Sequence, residues 1–231
     1  MTEARSAGRR AGVLLLVQGI GGALVNFVLM RPVIAPPGFL INASAHAPRV
    51  AVAALLGLAA GALSTAIAIT VLPVLRKHSE AMALWYLALA IAGLALAVVE
   101  NGTVMSMLSL SNAYAATNGA DPASFAGLRG VVAASRNWAH FTHLIVGGAA
   151  LLVLFVSLLR FALIPRALAV FGIAGVALQI ATISMTFFGM RILFPLLAPA
   201  GIALLSLALW LIAKGFTDAT EAPARLSAYF T

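Results

Sequence analysis

The sequence predicts an all-α integral membrane protein, a bundle of six transmembrane helices, and three observations carry that class. Of 231 residues 63% are hydrophobic and only 9% charged, with a mean hydropathy of +1.08, which is too little polar surface to cover a soluble globule. Uncharged apolar runs recur, each about long enough to cross a hydrocarbon core of roughly 30 Å. The fourteen Lys and Arg residues behind the net charge of +8 sit at the ends of these runs. They form no basic face, so they report topology and argue against a nucleic-acid partner. The absence of cysteine excludes disulfides, thiolate nucleophiles and thiolate metal sites.

The elements follow in order. Residues 1–10 form a short polar leader with Arg5, Arg9 and Arg10, and residues 11–30 make the first span. That run is longer than the apolar region of a cleaved signal, and the nearest small-x-small site, Ala43-Ser44-Ala45, lies too far downstream, so the first helix is expected to stay uncleaved. Residues 31–49 carry Pro32, Pro36, Pro37 and Pro48, which cannot continue a helix, and are expected to form a surface loop. The second span is about 50–75; Gly57 and Gly61, four apart on one face, allow another helix to approach closely. A charged turn over 76–80 leads to the third span, about 81–110, which is longer than the bilayer requires.

Residues 111–136 are the longest polar connection. Asp121-Pro122 reads as an N-cap followed by a first-turn proline, and Phe125, Leu128 and Val132 recur at helical spacing. A short amphipathic surface helix is therefore expected between the third and fourth spans. The fourth span is about 137–163, Pro165-Arg166 forces a turn, the fifth runs over about 167–190 and Arg191 marks its end. The sixth is about 192–213, with Pro195 and Pro199 early in it, and residues 214–231 form a polar tail.

Six spans place both termini, the second-third turn and the fourth-fifth turn on one side. That side holds nine of the fourteen Lys and Arg, so the positive-inside rule makes both termini and the tail cytoplasmic. With that orientation the polar residues gather at one depth. Glu100, the only acid in an apolar segment, lies roughly 28 Å along the outward-running third helix, beside Asn101. His140 and His143, three apart on one face of the inward-running fourth helix, fall near the same outer surface, as do Asn26, Arg31 and Arg191. An ionisable group in hydrocarbon costs roughly 3 kcal/mol on insertion scales unless it faces the interior and finds a partner.

Three readings of this collection stand open. Glu100 pairs with Arg31, Arg191 or a histidine only to neutralise itself. Alternatively His140 or His143 ligates a metal or haem, although His-x-x-His alone has no specific ligand meaning. Or Glu100, Asn101 and a histidine line an outward-facing cavity that binds or protonates a small molecule.

The residues also carry a resemblance. Arg9-Arg10-Ala-Gly12, Ala83-Leu-Trp85-Tyr86-Leu, Glu100-Asn101 with Met107-Leu-Ser-Leu-Ser111, Arg136-Asn-Trp138-Ala-His140, the run from Arg160 through Pro165-Arg166, and Phe194-Pro-Leu-Leu-Ala-Pro199 span nearly the whole chain. Together they resemble a bacterial family of polytopic membrane proteins catalogued as domain of unknown function 4386. The resemblance implies one all-helical domain in the bacterial inner membrane, carries over no catalytic residue, and favours His140 over His143. The expectation is thus a protein that binds or moves a small molecule within the lipid bilayer, at Glu100, Asn101 and His140, with no cofactor or metal favoured. A haem- or metal-dependent membrane enzyme and an accessory subunit of a membrane complex are the alternatives. The sequence fixes neither the ligand nor the oligomeric state.

Overall fold

The computed structural model describes residues 3–117 and 122–217, and among them there is no strand. Eight α-helices follow in order: α1 Glu3–Ala23, α2 Arg31–Ile34, α3 Phe39–Ala45, α4 Ala47–Arg76, α5 Glu80–Ala116, α6 Pro122–Arg160, α7 Arg166–Ser184 and α8 Ala198–Lys214. A π-helical turn, Leu24–Leu29, prolongs α1, and 3₁₀ turns Met185–Phe188 and Phe194–Leu197 lie between α7 and α8. Six helical segments are long and apolar enough to cross a membrane: Glu3–Leu29, Ala47–Arg76, Glu80–Ala116, Ala123–Arg160, Arg166–Phe188 and Phe194–Lys214. The chain is a multi-pass membrane protein. Phe27, Trp85, Phe188 and Phe194 are among its large exposed apolar side chains, an arrangement that hydrocarbon tolerates and water does not.

Several boundaries differ from the sequence expectation. The proline-rich segment is not an open loop: Pro32 stands in the first turn of α2, and Pro48 in the first turn of α4, positions where no intrahelical N–H is needed. The surface helix expected within 111–136 is not a separate element. Residues up to Ala116 continue α5, and from Pro122 onward the chain is already in α6, unbroken to Arg160. The expected N-cap Asp121 lies outside the described residues, as does the tail beyond Thr217. The polar leader is helical from Glu3, with Lys77 donating to Glu3 at 2.7 Å. The fifth span ends earlier than expected as α-helix. It tightens into the 3₁₀ turn at Met185, and Gly189, at φ 73°, takes the left-handed conformation that a side chain would oppose.

Packing divides the described chain into two compact units, each with its own apolar core. The first comprises residues 3–19, 63–92 and 144–217. Phe155, Leu158, Ile67, Leu75, Leu207 and Leu211 are fully buried there. Glycines let backbones meet. A Cβ on Gly12 of α1 would stand 2.8 Å from Ala208 O and Ile212 N of α8, and one on Gly8 would stand 2.9 Å from Gly215 Cα. Gly172 of α7 gives its side-chain space to the Phe155 ring of α6. The Thr217 N–H donates to Leu163 O at 2.9 Å, tying the segment after α8 to the α6–α7 turn.

The second unit comprises residues 20–62 and 93–143. Its core joins Met30, Val33, Phe39, Leu40, Val50, Val104, Met107 and Leu108, with Tyr114 and Phe125 meeting edge to face at its margin. Ser111 on α5 is fully buried and fully used: its hydroxyl donates to Leu40 O at 3.0 Å and accepts from Ser44 N–H at 2.9 Å. The hydroxyl thereby bridges a carbonyl and an N–H one turn apart on the short α3 and ties that helix to α5. Arg49 donates to the Val28 carbonyl, one of the last in the π-helical turn, where helix-end carbonyls lack an intrahelical donor. Gly61 lets α5 approach α4 at Leu94 and Ala97.

Candidate functional site

The second unit contains a charged cluster built from two helices. Arg136, His140 and His143 on α6 are spaced four and three apart, so one face of the helix carries all three. Glu100 on α5 meets them. The His140 Nδ1 lies 2.7 Å from Glu100 Oε1, the His143 Nδ1 lies 2.7 Å from Oε2, and the Arg136 Nη2 stands 3.7 Å from Oε1. The last distance is that of an ion pair without a hydrogen bond. Glu100 and Arg136 side chains are each 13% exposed, His140 21% and His143 28%. The carboxylate is thus mostly enclosed, while both imidazoles reach partly outward.

The chemistry of the donors follows from that geometry. A carboxylate ionised opposite Arg136 can only accept, so each imidazole must donate its Nδ1–H. With the arginine positive and the carboxylate negative, two neutral imidazoles leave the cluster uncharged. Each then turns a bare Nε2 lone pair away from Glu100. With the rings neutral, the site offers two bases, or two hydrogen-bond acceptors, whose orientation is set by one carboxylate. It also contains an unused donor: the Arg136 Nε–H is buried without a hydrogen-bond partner among the described residues. A metal ion does not fit between the carboxylate and the rings, since two ligands whose bonds of about 2.0–2.1 Å meet at a tetrahedral angle stand about 3.3 Å apart. Among the described residues no group of three or more His, Asp or Glu side chains is arranged to hold an ion. Only the Nε2 atoms remain available for ligation, with Glu100 behind them as the orienting second shell.

The other candidates fall elsewhere. Asn101 is buried, but its amide donates to Ala97 O at 2.8 Å and fills the space left by Gly57, so it packs α5 against α4 and takes no part in the cluster. Asn26 is exposed and donates back to Gly22 O of its own helix at 2.9 Å. Arg31 is exposed, and Arg191, also exposed, belongs to the first unit. The cation that pairs with Glu100 is therefore Arg136 in place of Arg31 or Arg191. In the sequence Arg136 enters only as a topology-marking cation and in the motif shared with the family, although its register four before His140 and seven before His143 is the signal that places it on their face. His143, set second to His140 on resemblance, engages the carboxylate at the same distance.

The sequence profile of a family described as a domain of unknown function, DUF4386, matches residues 10–215. The chain belongs to this family. The match takes in all of the Glu100, Arg136, His140 and His143 cluster, so the cluster lies inside the DUF4386 domain and not in an appended segment. Searches of curated proteins and of solved structures return no match to this DUF4386 chain.

Proposed function

We propose that this DUF4386 protein is a non-enzymatic membrane protein that binds or moves a small molecule at the Glu100–Arg136–His140–His143 cluster. It is set in the bacterial inner membrane with both termini cytoplasmic. The observation that supports this reading most directly is the use of both Glu100 oxygens by partly exposed imidazoles. An acid needing only neutralisation would be satisfied by Arg136, whereas two oriented imidazoles add a pair of acceptors at a place hydrocarbon disfavours. The ligand chemistry that complements them is a neutral molecule with hydroxyl or N–H donors for the two Nε2 atoms and an acceptor for the Arg136 Nε–H.

A thermal-shift screen of hydroxylated and amide-bearing small molecules on detergent-purified protein tests this. A ligand at about 100 times its Kd raises stability by about 2.7 kcal/mol. The expected result is a hit whose shift is lost in His140→Ala and reduced in Glu100→Gln. Hits that persist in both variants would remove the cluster from the binding site. The haem or metal enzyme remains the second reading, favoured by one feature: a carboxylate orienting Nδ1 is how proteins present Nε2 to a metal. An absorption spectrum and elemental analysis of the same preparation separate the two. A Soret band or near-stoichiometric metal that disappears in His140→Ala would replace the binder with the enzyme, and the binder predicts colourless, metal-free protein.

A further inference from the structure

The Glu100 cluster stands at a boundary in both of its helices. On α5 the run 81–99 before it carries no charged side chain, about 28 Å of helix at about 1.5 Å per residue, whereas Thr103, Ser106, Ser109 and Asn112 follow it. On α6 the order is reversed. Ser135, Arg136 and Asn137 precede the histidines, and the run 144–159 after them is again uncharged. Trp138, exposed and two residues before His140, is of the type that collects where hydrocarbon meets headgroups. The imidazoles therefore stand at the end of a hydrocarbon stretch, with apolar chain on one side of them and polar chain on the other.

Apolar room begins beside them on α5. Leu96 and Gly93, four and seven residues before Glu100, share its face of the helix. Gly93 is buried, yet a Cβ there would meet nothing within 4 Å. Gly57 and Gly61 differ, because Asn101 and Ala97 occupy the space that their side chains would take. Open space two turns from the carboxylate, on the hydrocarbon side, suits an alkyl chain and offers nothing to a polar ligand. Taking the cluster as a binding site, as above, we propose that its ligand is a neutral amphiphile, a lipid with free hydroxyls such as a monoacylglycerol. The head engages His140 and His143, and the acyl chain runs past Leu96 to Gly93. Such a head has two hydroxyls to donate to the two Nε2 atoms and an ester carbonyl to accept from the Arg136 Nε–H.

Full-length protein in phosphatidylcholine nanodiscs would be titrated with three compounds, reading melting temperature. They are 1-monooleoylglycerol, 1-monobutyrylglycerol with the same head on a short chain, and methyl oleate with the chain and no hydroxyl. The expected result is stabilisation by 1-monooleoylglycerol, none by methyl oleate, and an affinity for 1-monobutyrylglycerol weaker by roughly tenfold or more, since buried methylenes add affinity. His140→Ala/His143→Ala should remove both glyceride responses. Gly93→Phe, which fills the open space, should lower the affinity for 1-monooleoylglycerol to that for 1-monobutyrylglycerol and leave the latter unchanged. Gly93→Val should give a smaller loss, and it serves if the phenylalanine variant does not fold. Equal affinity for the two glycerides, or a long-chain affinity that both Gly93 variants leave unchanged, overturns the amphiphile and leaves the cluster as a site for a soluble ligand. A response to methyl oleate equal to that to 1-monooleoylglycerol overturns it too, since no hydroxyl is then read. No response to any of the three also overturns it, and the binding reading itself fails only if the wider screen of hydroxylated and amide-bearing molecules is equally without effect.

Discussion

Glu100 is held by three side chains, and what each contributes can be measured. Replacing Glu100 by Ala leaves the Arg136 guanidinium enclosed and without its counter-charge, a loss expected to cost about 3–5 kcal/mol in unfolding measurements. Removing both charges in Glu100→Leu/Arg136→Met should recover most of that loss, because the desolvation of two ions disappears with them. A double variant as unstable as Glu100→Ala would mean that the two charges do not act as a pair. At this scale the sequence was partly legible. An acid in an apolar run announces that it has partners, and His140 and His143 share a helix face within its reach. The choice of arginine was not legible from depth, because the spans expected from the sequence put Arg31, Arg136 and Arg191 alike at span ends on the outer side. Asn101 misled by adjacency: neighbouring residues on a helix point about 100° apart, so the amide beside Glu100 faces α4 while the acid faces α6.

The helices meet through glycines whose neighbours differ, and that difference orders their sensitivity to substitution. At Gly12 a methyl would meet the backbone of α8, which cannot yield without separating the helices, so Gly12→Ala is expected to cost about 1–3 kcal/mol. At Gly57 the obstacle is the Asn101 side chain, so Gly57→Ala should cost less, and Gly57→Ala/Asn101→Ala should be closer to the parent than the Gly57 variant alone. Gly147 has open space around it and should gain up to about 1 kcal/mol as Ala from helix propensity. Unfolding of the three variants under one condition checks the order; a Gly12 variant as mild as the Gly57 variant would refute it. The apolar runs and Gly57 and Gly61 were readable because period and composition decide them locally. The connections were not. Prolines that exclude a helix interior are admitted in first turns, so 31–49 folded into α2, α3 and the start of α4. The 111–136 segment looked like a connection because it is polar, yet polar residues continue a helix readily once a span has nucleated it.

For the molecule as a whole, the nine-to-five distribution of Lys and Arg sets the expected orientation, and reporter fusions after Thr117 and after Lys214 should report opposite sides, the latter cytoplasmic. A periplasmic signal after Lys214 would invert the proposed topology and place the Glu100 cluster nearer the inner face. The pairing of α1 with α8 has a further consequence, one of time. Arg9 and Ala213, which touch, are 204 positions apart in the chain. At about 5–20 residues per second, a ribosome needs about 10–40 s to deliver the second after the first. For that interval the face of α1 bearing Gly8 and Gly12 has no α8 to meet and must rest against lipid or the insertion machinery. Assembly of the first unit is thus completed only after α8 has been made, and a translational stall before residue 198 leaves the helix made first waiting for a partner that never arrives.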